Sequence, residues 1–154
     1  MADRSQAGAA HGAADAPTHS QGREFATYAD FFPYYVAMHS KPLTRRLHAG
    51  GTLTGLAVAI VGLLTGRPKL LAALPALGYG TAWPAHWLVE KNNPASFGHP
   101  LWSLRGDAQM IGFMLRGRDA ELTLIARDYL RMNPEYRTVS NWAPALATDR
   151  GRAA

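Results

Sequence analysis

A chain of 154 residues has room for one domain. It contains no cysteine, which excludes disulfides, thiol catalysis and thiolate metal sites. The net charge of +5 comes from Lys and Arg scattered singly or in pairs beside apolar runs, a distribution that suits anionic lipid headgroups and offers no nucleic-acid face.

Residues 1–24 are Ala, Gly, His, Ser and Asp with almost nothing to bury, which predicts a disordered tail. This stretch has no apolar core of a signal peptide, and its His11 and His19 carry no role. Residues 25–39 place Phe25, Tyr28, Phe32, Tyr35 and Met38 at three- and four-residue steps, one face of an amphipathic helix. Ser40 and Pro42 end it. Leu43 to His48 is a connecting turn or the first turn of the next helix.

Residues 49–66 carry no charge, and 18 helical residues reach about 27 Å, close to a bilayer core. Gly51 and Gly55 leave a smooth strip on which another helix can pack, a second copy of the chain included. Arg67-Pro68-Lys69 makes a basic turn. Residues 70–89 are again uncharged but contain Pro75, Pro84 and His86, with Trp83 and Trp87 near the far end as in an interfacial aromatic belt. After a stop at Glu90 to Pro94 and a loop through His99, residues 100–117 read as one helix or two short ones. Asp107 is a candidate N-cap and Gly117 the stop. Leu104, Met110, Ile111, Met114 and Leu115 give this segment an apolar side suited to the membrane interface. Residues 119–132 form a last amphipathic helix halted by Asn133-Pro134, and residues 135–154 a second loose tail pinned by Trp142.

The expected fold is therefore all-α: a helical membrane bundle (25–134) built on a central two-helix apolar hairpin, with flanking amphipathic helices and disordered tails. A soluble helical core is the alternative. In a hairpin His48 opens the first span and His86 closes the second, so both lie at one end. Lys41, Arg45, Arg46, Lys91 and Arg105 gather there against Arg67 and Lys69 at the tip, which places the histidine face in the cytoplasm by the positive-inside rule.

Histidine and carboxylate are costly beside an apolar phase unless paired or bound to metal. His86 and Glu90, four apart, share a helix face. The turns at Pro42 and at the hairpin mouth bring His39 and His48 to the same place. Three imidazoles and a carboxylate suit iron, zinc or manganese, with His99 and Asp107 as further ligands or as partners that orient them. The plainer reading makes each histidine a polar tip at the headgroups and Glu90 a surface partner of Lys91 or Arg105. There is no phosphate loop and no G-x-S-x-G elbow.

The runs HSKPLTRRLHAGG, from His39, and HWLVEKNNPASFGHPLWSLRGD, from His86, resemble a family of small helical membrane proteins. Its characterised members are 2-hydroxy fatty acid dioxygenases of phytosphingosine breakdown. The resemblance covers about residues 25–117. It implies an iron(II)-dependent α-oxidation in which molecular oxygen shortens a 2-hydroxy fatty acid by one carbon. His39, His48 and His86 would then hold Fe(II), with Glu90 as fourth ligand or as an orienting group. Arg45, Arg46 or Lys91 would neutralise the substrate carboxylate, and the acyl chain would lie along the apolar helices. Thr44 departs from the asparagine expected there, and the chain has two apolar runs where some relatives have four. A histidine-ligated haem protein and a non-catalytic membrane hairpin or scaffold are the alternatives.

Overall fold

The computed structural model describes residues 24–136. Nearly all of both expected tails, and with them His11, His19 and Trp142, lie outside the described residues. Among these residues every regular element is helical, in keeping with the all-α expectation.

Helix α1 (Tyr28–Ala37) starts at a capping box: the Thr27 hydroxyl accepts the Asp30 N–H at 3.3 Å, and the Asp30 carboxylate accepts the Thr27 N–H at 3.1 Å. The sequence predicts a one-sided helix here, but Phe31, Tyr34, Tyr35, Val36, Ala37 and Met38 are all buried. Helix α4 (Pro100–Leu115) brings Met110 against α1, and α5 (Asp119–Met132) brings Leu122, Ala126 and Tyr129. A helix apolar on every side belongs inside, and α1 is the post around which this core is packed.

Helix α2 (Pro42–Leu64) starts at Pro42, whose missing N–H costs nothing in a first turn. His48 thus lies within the helix, in its second turn, which resolves the ambiguity over Leu43 to His48. Past Gly66 (φ +63°) a 3₁₀ segment (Pro68–Ala72) leads into α3 (Ala73–Pro84), which returns along α2. A methyl at Gly51 would sit 2.6 Å from the Leu77 carbonyl oxygen, and one at Gly55 would sit 2.8 Å from that of Ala73. The glycine strip is therefore taken up by α3 of the same chain, and the dimer read from it loses its surface.

Of the expected pair of spans, one is supported by length and composition. Among the described residues α2 alone is long and apolar enough to cross a membrane, with 23 residues and a mean hydropathy of 1.7 in its most apolar window. The second apolar run is divided among the 3₁₀ segment, the 12 residues of α3 and a π-helical turn (Ala85–Glu90). Asp107 is not a cap either: α4 starts seven residues earlier, at Pro100, and Asp107 faces inward from its middle. The stop at Gly117 stands, with φ +70°.

Candidate metal centre

Three elements deliver three imidazoles. His39 follows α1, where its ring Nδ1 donates to the Tyr35 carbonyl oxygen one turn back at 2.6 Å. His48 points inward from α2. His86 sits in the π-helical turn, whose wider winding lets the His86 carbonyl accept from both Lys91 (2.7 Å) and Asn92 (3.1 Å). Lys91 takes the left-handed conformation (φ 65°) that closes this turn and swings Asn92 back toward the ring of His86. One ring nitrogen from each of His39, His48 and His86 lies within 4.8 Å of the others, and all three side chains are buried.

The partners on the far side of each ring decide its tautomer. His48 Nδ1 faces an Asp107 carboxylate oxygen at 2.9 Å, so it carries the proton. The same oxygen takes the Tyr35 hydroxyl at 2.5 Å. Burial, and then the Asp107 charge, hold the Tyr35 pKa well above the ordinary phenol value, so that hydroxyl remains a donor. His86 Nδ1 donates to Asn92 Oδ1 at 2.7 Å, and the Asn92 amide is oriented by its own donation to the Met38 carbonyl at 2.9 Å. Each imidazole therefore spends its Nδ1 proton outward and turns the Nε2 lone pair inward. Burial, followed by the neighbouring His48 and His86, holds the His39 pKa well below the usual imidazole value, so the ring is neutral at pH 7.

Those lone pairs meet one another. His48 Nε2 and His86 Nε2 stand 3.2 Å apart, and His39 Nε2 is buried with no partner. Two lone pairs at that distance repel unless a proton or a metal ion lies between them. Imidazole nitrogens bound about 2.1 Å from one ion stand about 3.0–3.4 Å apart. The donor set, and the spacing of His48 and His86 within it, fit a metal ion.

Glu90 is not brought to this cluster. Its carboxylate, fully buried, accepts the Ser40 N–H (2.8 Å) and hydroxyl (2.5 Å), the Lys41 N–H (3.2 Å) and the Thr44 hydroxyl (2.5 Å). It caps the start of α2 and ties the segment carrying His86 to the bend between His39 and His48. Thr44, the departure noted in the sequence, is one of its donors.

Arg45 is not placed to bind substrate. It is fully buried, and all five of its N–H groups are spent: on both Asp119 carboxylate oxygens (2.8 and 2.9 Å), on the carbonyls of His39 and Ser40 (3.0 Å each) and on the Thr123 hydroxyl (2.9 Å). Removing this arginine from the substrate role leaves it a structural one, clamping the His39 bend to α5. Asp119 responds with a lowered pKa, caused by the hydrogen bonds from Arg45. Arg46 is exposed, Lys91 half-buried, and neither borders the cavity beside the histidines. His99 lies among Phe25, Phe31 and Trp102, stacked on Trp102 at 5.7 Å, away from the cluster. Of the two expected orienting residues, only Asp107 touches an imidazole.

The sequence reading missed Tyr35 and Asn92. Tyr35 is indistinguishable from a core aromatic by spacing. Asn92 was legible only in its place after Glu90-Lys91, where a turn residue is ordinary.

A cavity of about 360 Å³ borders the three imidazoles and runs between α2, α3 and α4 past Leu56, Leu74, Ala82, Trp83 and Leu104. Among the described residues no Lys or Arg lines it, and Asp107 is its only carboxylate. Gly106 lets α4 close on this region: a methyl there would lie 2.9 Å from the Tyr35 ring.

Three buried histidines at the side of a largely apolar cavity could hold a metal ion beside an apolar ligand. The family model for 2-hydroxy-palmitic acid dioxygenase Mpo1-like proteins matches residues 25–119, and the chain belongs to that family. No curated protein and no solved structure matches the chain.

Proposed function

We propose that this protein is a non-haem iron dioxygenase that shortens 2-hydroxy fatty acids by one carbon. The observation that carries the reading is the set of three buried imidazoles whose Nδ1 protons are all committed outward and whose Nε2 lone pairs converge. The family to which the chain belongs supplies the substrate class.

His39, His48 and His86 would hold ferrous iron, which supplies the activation of molecular oxygen and the site where a 2-hydroxy acid is oxidised. Asp107, Asn92 and the Tyr35 carbonyl fix the rings so that the donors are oriented before metal arrives. Tyr35 neutralises part of the Asp107 charge through its hydroxyl. Glu90 and Arg45 hold the His39–Ser40 bend from opposite sides, which sets where His39 Nε2 lies relative to the other two. The walls of the cavity keep water from the reacting end and receive the acyl chain.

A membrane-associated setting is supported by the surface. Leu53, Ile60, Leu63 and Leu64 of α2 and Leu71, Leu77 and Trp87 of the returning run are exposed. An apolar surface of this extent marks contact with lipid or protein. The basic residues near the histidine end suit a cytoplasmic headgroup layer. The haem alternative fares worse, because a porphyrin held between any two of these imidazoles would collide with the third, which lies within 4.8 Å.

The test is metal content and a visible spectrum on detergent-purified protein prepared without air, wild type beside His86→Ala. Near-stoichiometric iron without a Soret band, lost in the variant, is expected, together with oxygen uptake on 2-hydroxypalmitate by wild type alone. His86→Ala with full turnover would sink the proposal.

A further inference from the structure

The cavity beside the histidines contains a polar group that neither the fold nor the metal centre uses. Ser103 lines it from α4. The residue is 5% exposed, and its Oγ has no hydrogen-bond partner among the described residues. Buried hydroxyls are rarely left unpaired, because their desolvation is then uncompensated. A serine inside a helix has a ready partner in the carbonyl one turn back. That carbonyl, on His99, takes the Ser103 backbone N–H at 2.9 Å, and the side-chain hydroxyl does not join it.

Its position relates it to the metal centre. Ser103 and Asp107 are four residues apart on α4 and both line the cavity, so they share one helix face. Asp107 holds His48. One turn away from the residue that orients an imidazole of the cluster there is thus an uncommitted hydroxyl, in a cavity that no described Lys or Arg lines. Among the described residues, a fatty acid entering this cavity meets no Lys or Arg to receive its carboxylate. Neutral donors and the metal must do it.

We propose that Ser103 binds the polar head of the substrate, donating its hydroxyl proton to a carboxylate oxygen of a fatty 2-hydroxy acid whose chain lies along the apolar walls. This rests on the dioxygenase reading above, from which the substrate class comes. A hydroxyl that pairs only on ligand binding favours an acid over a neutral alcohol, since its hydrogen bond to a charged carboxylate is the stronger of the two.

The experiment is equilibrium binding to the full chain in detergent, loaded with ferrous iron and kept free of oxygen so that no turnover occurs. The probes are 2-hydroxypalmitate and 1-hexadecanol, and the proteins are wild type, Ser103→Ala and Ser103→Thr. Ser103→Ala is expected to weaken 2-hydroxypalmitate about tenfold or more, the scale of a hydrogen bond to a charged group, with hexadecanol changed less than about twofold. Ser103→Thr, which keeps the hydroxyl, should bind the acid within about threefold of wild type. Equal affinity of wild type and Ser103→Ala for the acid overturns the proposal. So does an equal loss for both probes, which would mean that the side chain only packs. Oxygen uptake by the wild type separates this from the function itself. Turnover with an acid affinity indifferent to Ser103 defeats Ser103 alone. Acid-selective loss in Ser103→Ala without any wild-type turnover upholds the head-group site and defeats the dioxygenase reading.

Discussion

The two halves of this molecule bury their apolar side chains by different means. Around α1 the rings of Phe31, Tyr34 and Tyr35 are enclosed by α4 and α5, with Phe31 and Tyr34 wholly inaccessible. In the α2–α3 hairpin the contact runs along glycines and backbone, and the leucines turn outward, Leu64 to 81% exposure. The first half is a self-sufficient core; the second packs closely yet leaves its largest apolar groups for some other phase to cover. The histidine cluster lies on the seam. His39 comes from the bend just after the core helix, His48 and His86 from the hairpin and the turn that follows it, and Asp107 from α4, so the cluster forms only when the halves are docked.

Changes at the seam should therefore alter metal binding most. Asp107→Ala removes the acceptor that orients His48, and metal affinity should fall about 10- to 100-fold, read by competition with a chelator. The helical circular dichroism should be retained, because Asp107 is not a cap.

Next in size is the clamp between the seam and α5. Arg45→Met takes away five hydrogen bonds and leaves the carbonyls of His39 and Ser40 without their donor. A loss of about 3 kcal/mol of unfolding stability is expected, from denaturant titration in detergent. A change below about 0.5 kcal/mol would show that the clamp does not contribute to stability.

The same clamp predicts a modest pH effect. Asp119 has a folded pKa below its unfolded value, so its contribution is present above the unfolded carboxyl range and is lost as pH falls through the folded value. Its side chain is 38% exposed and solvent screens it, which limits the contribution to about 1 kcal/mol or less. Asp119→Asn should flatten the acid limb of the stability curve below about pH 4 and leave the neutral region lower by that amount.

The smallest change expected in stability comes from the hairpin surface. Leu64→Ser should alter unfolding in detergent by less than about 0.5 kcal/mol, since little is buried there. The same change should weaken partition into lipid vesicles by flotation. A large stability loss would mean that the outward leucines are packed against protein after all.

Much of this was legible along the chain. The apolar period of residues 25–39, the uncharged run from Ala49, the glycine at the end of α4 and the amphipathic 119–132 segment each foretold a helix, because local spacing and stop residues act through neighbours three or four apart. The three histidines were legible too, since imidazoles beside apolar runs demand a reason. Glu90 was misleading for a related cause: a spacing of four from His86 says that two side chains can share a face, but the donors of Ser40, Lys41 and Thr44, some 46 to 50 residues earlier, hold the carboxylate away from the imidazoles. Arg45 looked like a free surface cation because nothing local announces that Asp119 and Thr123, 74 and 78 residues on, will surround it.

The sequence by itself determined that the chain is helical, where its apolar runs lie and which imidazoles needed partners, all consequences of composition and of periods of a few residues. Only the tertiary structure decided how those imidazoles are used. The outward Nδ1 contacts to Tyr35, Asp107 and Asn92 turn three lone pairs toward one point. The Asp107 contact joins residues 59 apart in the chain, and the convergence itself joins α1, α2 and the π-helical turn. No periodicity spans such distances, because proximity across a fold is set by packing rather than by spacing along the chain.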